Sequence, residues 1–151
     1  MYNLLFHYRN NMLKVITQAA KNFFENDLEL PIAHCDEIVK EGYISFITAS
    51  TASDKYEVYL TCCNDFLKKI SDVMLFDDNP DDDTMDDLNK ELNNIIIGSA
   101  KVLSEQNSLP SFTISTPTSL GSKSFDIEYD SYQTLSIDKI RITIAVKQVQ
   151  K

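Results

Sequence analysis

Cysteine is scarce here: Cys35, Cys62 and Cys63 are the only three among 151 residues. An odd count with two adjacent excludes a disulfide framework. Cys62 and Cys63 end a strand-like run, where burial as small hydrophobes accounts for them. With His34 they lack metal-ligand spacing, so no metal site is expected. Histidine is scarcer still. His7 and His34 have no obvious nucleophilic partner: the adjacent His34–Cys35 pair is weak, since catalytic partners are usually distant in sequence, and both histidines read as structural. Positive charge is also short: the net charge of −9 argues against broad binding to nucleic acid or an anionic membrane surface. No apolar run approaches the roughly 20 residues of a membrane span. The opening Met1-Tyr2-Asn3-Leu4-Leu5-Phe6 lacks a basic leader and a long apolar centre, a poor match to a signal peptide. The expectation is a cytoplasmic protein.

What is present suits one globular domain over residues 1–151, with 43% hydrophobic and 25% charged residues. Met12, Val15, Ile16, Ala19, Ala20, Phe23 and Phe24 recur at three- and four-residue steps, so a helix is expected near 10–28. Residues 31–42 read as a short strand or loop. Tyr43–Thr48 and Lys55–Cys62 are rich in aromatic and β-branched residues and read as a hairpin. Asn64 can cap a helix that carries Phe66, Leu67, Ile70, Val73 and Met74 on one face. Past the long central stretch the pattern turns to period two. Strands are expected at Phe112–Thr116, Phe125–Tyr129 and Ile140–Val146, with a turn over Pro117–Ser122 that contains Gly121. The order is helix, two strands, two helices, three strands. The fold class is α+β, with helices packed on a largely antiparallel sheet.

Between Asp77 and Asp83 lies the acidic run DDNPDDD. Taken as an EF-hand loop from Asp77, it fails at the sixth position, Asp82, and the twelfth, Leu88. A linker whose carboxylates face the positive end of the next helix fits better.

That next helix, Asp83–Gln106, organises the chain. Met85, Leu88, Leu92, Ile95, Ile96, Val102 and Leu103 fall in one arc roughly 120° wide, with Ser99 inside it. Asp87, Glu91, Asn94 and Gly98 form a second stripe, flanking that arc and directed to solvent. Asn and Gly are poor choices in mid-helix, Gly by about 1 kcal/mol against Ala. Local rules broken together on one face mark a candidate site. The plain alternatives are specific. Asp87 fits the third residue of a capping box begun by Thr84. Glu91 fits a solvated surface, and Gly98 fits a helix that admits a neighbouring core side chain.

The spacing carries further information. Asp87 precedes Glu91 by four residues, Asn94 follows by three, and Pro117 stands twenty-three beyond Asn94. With 8 Glu and 11 Asn, an E-x-x-N alone is expected roughly 0.6 times by accident. The whole pattern is expected roughly 0.003 times. It resembles the active-site signature of the CheC/CheX/FliY family of response-regulator phosphatases. The resemblance is firm over Thr84–Gly121, extends over Tyr43–Val146, and carries little before residue 40. Asn89-Lys90, where relatives often have a small or apolar pair, departs from it and bears on partner preference. A single copy of the signature is most like CheX, which implies a homodimer.

The resemblance implies a substrate that is itself a protein: a CheY-like receiver domain carrying an aspartyl phosphate. It implies that Asn94 positions the attacking water and Glu91 pairs with the receiver's active-site lysine. Asp87 would orient the helix, Gly98 would keep the docking surface close, and Pro117 would shape the neighbouring turn. No cofactor of this chain's own is implied; Mg²⁺ would reside in the receiver. Two other classes compete. One is a binding module that grips a receiver or flagellar-switch component without hydrolysis. The other is an acidic scaffold whose Ile97, opposite the core arc, meets a partner helix.

Overall fold

The computed structural model describes the backbone of residues 2–149 and the side chains of residues 12–149. The reading of His7 lies outside the described side chains. Helix α1 spans Tyr2–Asn22 and ends in a π-helical turn, Phe23–Asp27. Strands β1 (Ala33–Cys35), β2 (Glu41–Ser50) and β3 (Lys55–Cys62) follow. Helices α2 (Asn64–Leu75) and α3 (Asp82–Gln106) come next. The chain closes with β4 (Thr113–Ile114), β5 (Thr118–Ser124), β6 (Ser131–Ile137) and β7 (Ile140–Val149).

All seven strands join one antiparallel sheet in the order β1-β6-β7-β3-β2-β4. Strand β5 also pairs with β2, further along the edge that β4 occupies. Alternation decides which face is covered. Tyr43, Ile47 and Ala49 of β2, Tyr56, Val58 and Leu60 of β3, and Ile142, Ile144 and Val146 of β7 are buried with the helices in one core. Met12, Ile16, Ala19, Ala20 and Phe24 bring α1 and its π-helical turn into that core, so residues before 40 contribute directly to it. The opposite face carries a smaller cluster around Ile44, Tyr59 and Ala145, flanked by Phe46, Phe125 and Tyr132. The result is the expected α+β class, with helices on one face of an antiparallel sheet.

Several local expectations need correction. Residues 118–124, expected as a turn, form β5; Gly121 takes φ 77° there, beside a register shift at Ile44/Ser45. Residues 125–129, expected as a strand, are irregular. Their alternation is real but serves another purpose: Phe125 packs on Tyr59 and Tyr129, laying the segment over the outer face of the sheet. The strand in that part of the chain is β6, six residues later. Cys63, not Asn64, stands at the N-cap of α2, and its side chain makes no capping bond.

The largest correction concerns the face that α3 buries. Asn89 and Asn93 are 1% exposed and Ile97 is fully buried, whereas Val102 is half exposed. At about 100° per residue the buried arc is centred near Asn89, Ile96 and Ala100, rotated by about 80° from the apolar arc read in the sequence. Ile97 is core and cannot serve a partner helix.

Candidate active site on helix α3

The start of α3 is fixed from three sides. Asp81 is the N-cap, and its carboxylate accepts from the Thr84 amide at 2.8 Å, which holds it below the ordinary carboxylate value. This replaces the expected Thr84–Asp87 capping box. The Tyr43 hydroxyl donates to Asp82 at 2.9 Å. Burial, and then that bond, push the Tyr43 phenol up to about 12. The Ser119 hydroxyl donates to Asp86, joining the helix to β5.

Further along, two carboxamides seat the helix on the sheet. Asn89 Nδ2 donates to the Tyr43 carbonyl at 3.1 Å, the Leu60 carbonyl at 3.4 Å and the Cys62 sulfur at 3.2 Å. Asn93 Nδ2 donates to the Ser45 hydroxyl at 3.1 Å and the Val58 carbonyl at 3.5 Å. Buried donors without partners would each cost about 1–3 kcal/mol, so these bonds define one rotation and one register for the helix. Asn89, expected to bear on partner preference, is instead buried against the sheet and presents nothing to a partner. Lys90 turns back to Asp87.

That rotation places the stripe. Asp87, Glu91 and Asn94 are exposed, and Gly98 is half-buried. On an idealised wheel they lie about 165° from the centre of the buried arc, directly opposite the sheet rather than at the edge of the core face. The Asp87 side chain is 77% exposed and pairs with Lys90 at 3.4 Å. Neither the Glu91 nor the Asn94 side chain has a hydrogen bond or ion pair among the described residues. A Cβ added at Gly98 would meet nothing within 4 Å. The glycine is therefore not there to admit a core neighbour; it leaves a gap on the outer surface of the helix. Pro117 is half-buried in the link between β4 and β5, two residues before Ser119. No hydrogen bond joins it to the stripe.

A groove of about 350 Å³ runs beside the stripe between α2 and α3. Met74, Leu75 and Leu88 supply apolar wall; Thr84, Asp87 and Glu91 line the rest. Its α2 side was not anticipated, because hydropathy alone places Met74 on a core face and says nothing of Leu75. Helix α2 ends at Phe76 in the left-handed conformation, φ 56° and ψ 33°. Such backbone costs a non-glycine residue of order 1 kcal/mol.

The chemistry open to this surface is narrow. A free carboxylate and a free carboxamide one turn apart can accept from a cation and hold a water. Among the described residues, no group of three or more His, Cys, Asp or Glu could hold a metal ion. Among the described residues, no helix is long and apolar enough to cross a membrane.

Known proteins of similar fold carry the same association of helix and sheet. A CheX chemotaxis protein from Vibrio vulnificus matches 91% of this chain and 96% of its own, with TM-score 0.80 and 16% identity. A CheC-like chemotactic protein from Shewanella oneidensis matches 92% and 98%, with TM-score 0.73 and 20% identity. A CheX–CheY–BeF₃–Mg²⁺ complex from Borrelia burgdorferi matches 93% and 97%, with TM-score 0.60 and 12% identity. No curated protein matches the sequence. Residues 44–139 match the family described as "Chemotaxis phosphatase CheX", a span that starts within β2, ends in the turn between β6 and β7 and includes the whole of α3. The chain belongs to the CheX family.

Proposed function

We propose that this chain hydrolyses the aspartyl phosphate of a CheY-like receiver domain in chemotaxis signalling, and that α3 supplies the working groups. The observation that carries the reading is the free, outward-facing Glu91–Asn94 pair on a helix anchored by its opposite side. A rigid mount is what positional catalysis needs, since misplacement by about 1 Å can cost a hundredfold. The Borrelia burgdorferi complex joins a CheX to a CheY with BeF₃ and Mg²⁺, which supports a receiver as partner.

In this reading the helix lies over the receiver's phosphorylated pocket. Glu91 accepts from the receiver's lysine and sets the register. Asn94 donates to and accepts from a water in line with the phosphorus. The water oxygen bonds to phosphorus as the bond to the aspartyl oxygen breaks; both water protons leave with inorganic phosphate, and the carboxylate is restored. Mg²⁺ in the receiver, when bound, neutralises the charge of the transferring phosphoryl group. Asp87 orients the Lys90 ammonium along the same face, Gly98 gives the partner backbone close approach, and Pro117 shapes the link that leads to Ser119. A hundredfold acceleration needs about 2.7 kcal/mol, within reach of one ordered water.

The whole chain acts as one phosphatase domain in this reading, in the cytoplasm where receivers work, and pairs with a second copy. Purified protein mixed with a phosphorylated receiver should speed phosphate release. Asn94→Ala should lower that acceleration by roughly 10- to 100-fold, the range for a lost positioning group. A binding module would instead retain the receiver and leave its phosphate in place.

A further inference from the structure

We infer that the α2–α3 groove, with Leu75 and Phe76 beside it, is a second grip on the receiver domain, setting affinity rather than turnover. This rests on the receiver as partner. Asp87 and Glu91 belong both to the stripe and to the wall of the groove, so a body that lies on the stripe also covers the mouth. The floor and far wall are apolar: Leu88, Met74 and Leu75. Such a slot takes an apolar side chain of the receiver, beside the lysine that Glu91 meets.

Two anomalies mark the end of α2, where Leu75 lines the groove and Phe76 follows it in the chain. Among the described residues four large hydrophobics are exposed: Leu75, Phe76, Val102 and Tyr129. Singly scattered ones need no explanation, but Leu75 and Phe76 are adjacent, at 49% and 91% exposure. Phe76 is disfavoured twice. Its ring lies in water, and its backbone holds a conformation that glycine would adopt without strain. Stability alone would place glycine there. An aromatic ring kept at such a position suits an interface, where aromatic side chains supply much of the binding.

The substitution Phe76→Gly separates the roles. A residue serving only the fold would lose stability on truncation; here the melting temperature should stay level or rise. Affinity for a receiver loaded with Mg²⁺ and beryllium trifluoride should fall roughly tenfold, as for removal of an interface aromatic. Leu75→Ser should weaken binding in the same direction. With phosphorylated receiver as substrate, KM should rise while turnover at saturation holds. Asn94→Ala should show the reverse, turnover lost and binding kept. If both groove variants bind like wild type, the grip is wrong although the phosphatase reading stands. If wild type binds and the groove variants do not, but no phosphate is released, the hydrolytic reading falls and the grip stands. If wild type fails to bind any loaded receiver, both fall.

Discussion

Three asparagines on α3 divide the labour. Asn89 and Asn93 face the sheet and hold the helix; Asn94 faces water with no partner. Substitution should separate them. Asn89→Ala strips a donor from buried acceptors and should cost about 1–3 kcal/mol in urea unfolding, leaving the activity of the folded fraction intact. Asn94→Ala should leave the unfolding curve within about 0.5 kcal/mol of wild type, as surface substitutions do. Gly98→Ala places a methyl group in open space and should stabilise by up to about 1 kcal/mol. Gly98→Leu should keep the fold and weaken docking, because its bulk stands on the partner's side. That Glu91 and Asn94 share one exposed face was legible, because their three-residue spacing keeps them together however the core is read. Asn89 and Asn93 were not, because hydropathy counts a carboxamide as polar whichever way it points. Two polar residues four apart, each beside core leucines, were the available signal. Leaving them out of the apolar arc rotated the inferred core toward Ile95 and Val102 and turned Ile97 outward.

At the scale of elements, the helix stands or falls with its first turn. Asp81 accepts from the Thr84 amide, and its folded value lies below the usual carboxylate one. The cap therefore contributes fully above the unfolded value of 3.8 and is lost as pH falls through the lower folded value. Circular dichroism of Asp81→Ala against wild type should show the two converging in stability on acidification. Tyrosine gives the opposite limb. Tyr43 and Tyr59 are both raised from 10.0 to about 12, by burial first and then by donating to Asp82 and Glu57 respectively. Below pH 10 both phenols are protonated whether folded or not. Above it the unfolded chain ionises first, so stability should fall from about pH 10 to about pH 12. Absorbance titration should find these two ionising later than free tyrosine. The presence of β2 and α2 and both ends of β3 followed from period and composition. Strand β5 did not, since Pro117, Gly121 and three serines carry turn chemistry while the backbone pairs with β2. Tertiary pairing overrode local preference there.

Across the whole molecule, the layout leaves one face of α3 turned outward. The sheet runs from β1 to the β4/β5 edge, α1 and α2 flank α3, and the stripe is on the far side from the sheet. Strand β1 is three residues long and leaves one edge open, suited to pairing with a second copy. Sedimentation at micromolar concentration should find a dimer; a lone 17.2 kDa species would remove that expectation. The overall class was readable because long periodic segments dominate the chain. The packing of α1 was not, since the resemblance scarcely reaches it, yet its apolar stripe enters the same core as α3. The measurement that bears most directly on the central claim is phosphate release from a phosphorylated CheY-like receiver, with wild type and Asn94→Ala side by side. Faster release with wild type, and near-spontaneous release with the equally folded variant, is the predicted result. Equal acceleration by both proteins would contradict it.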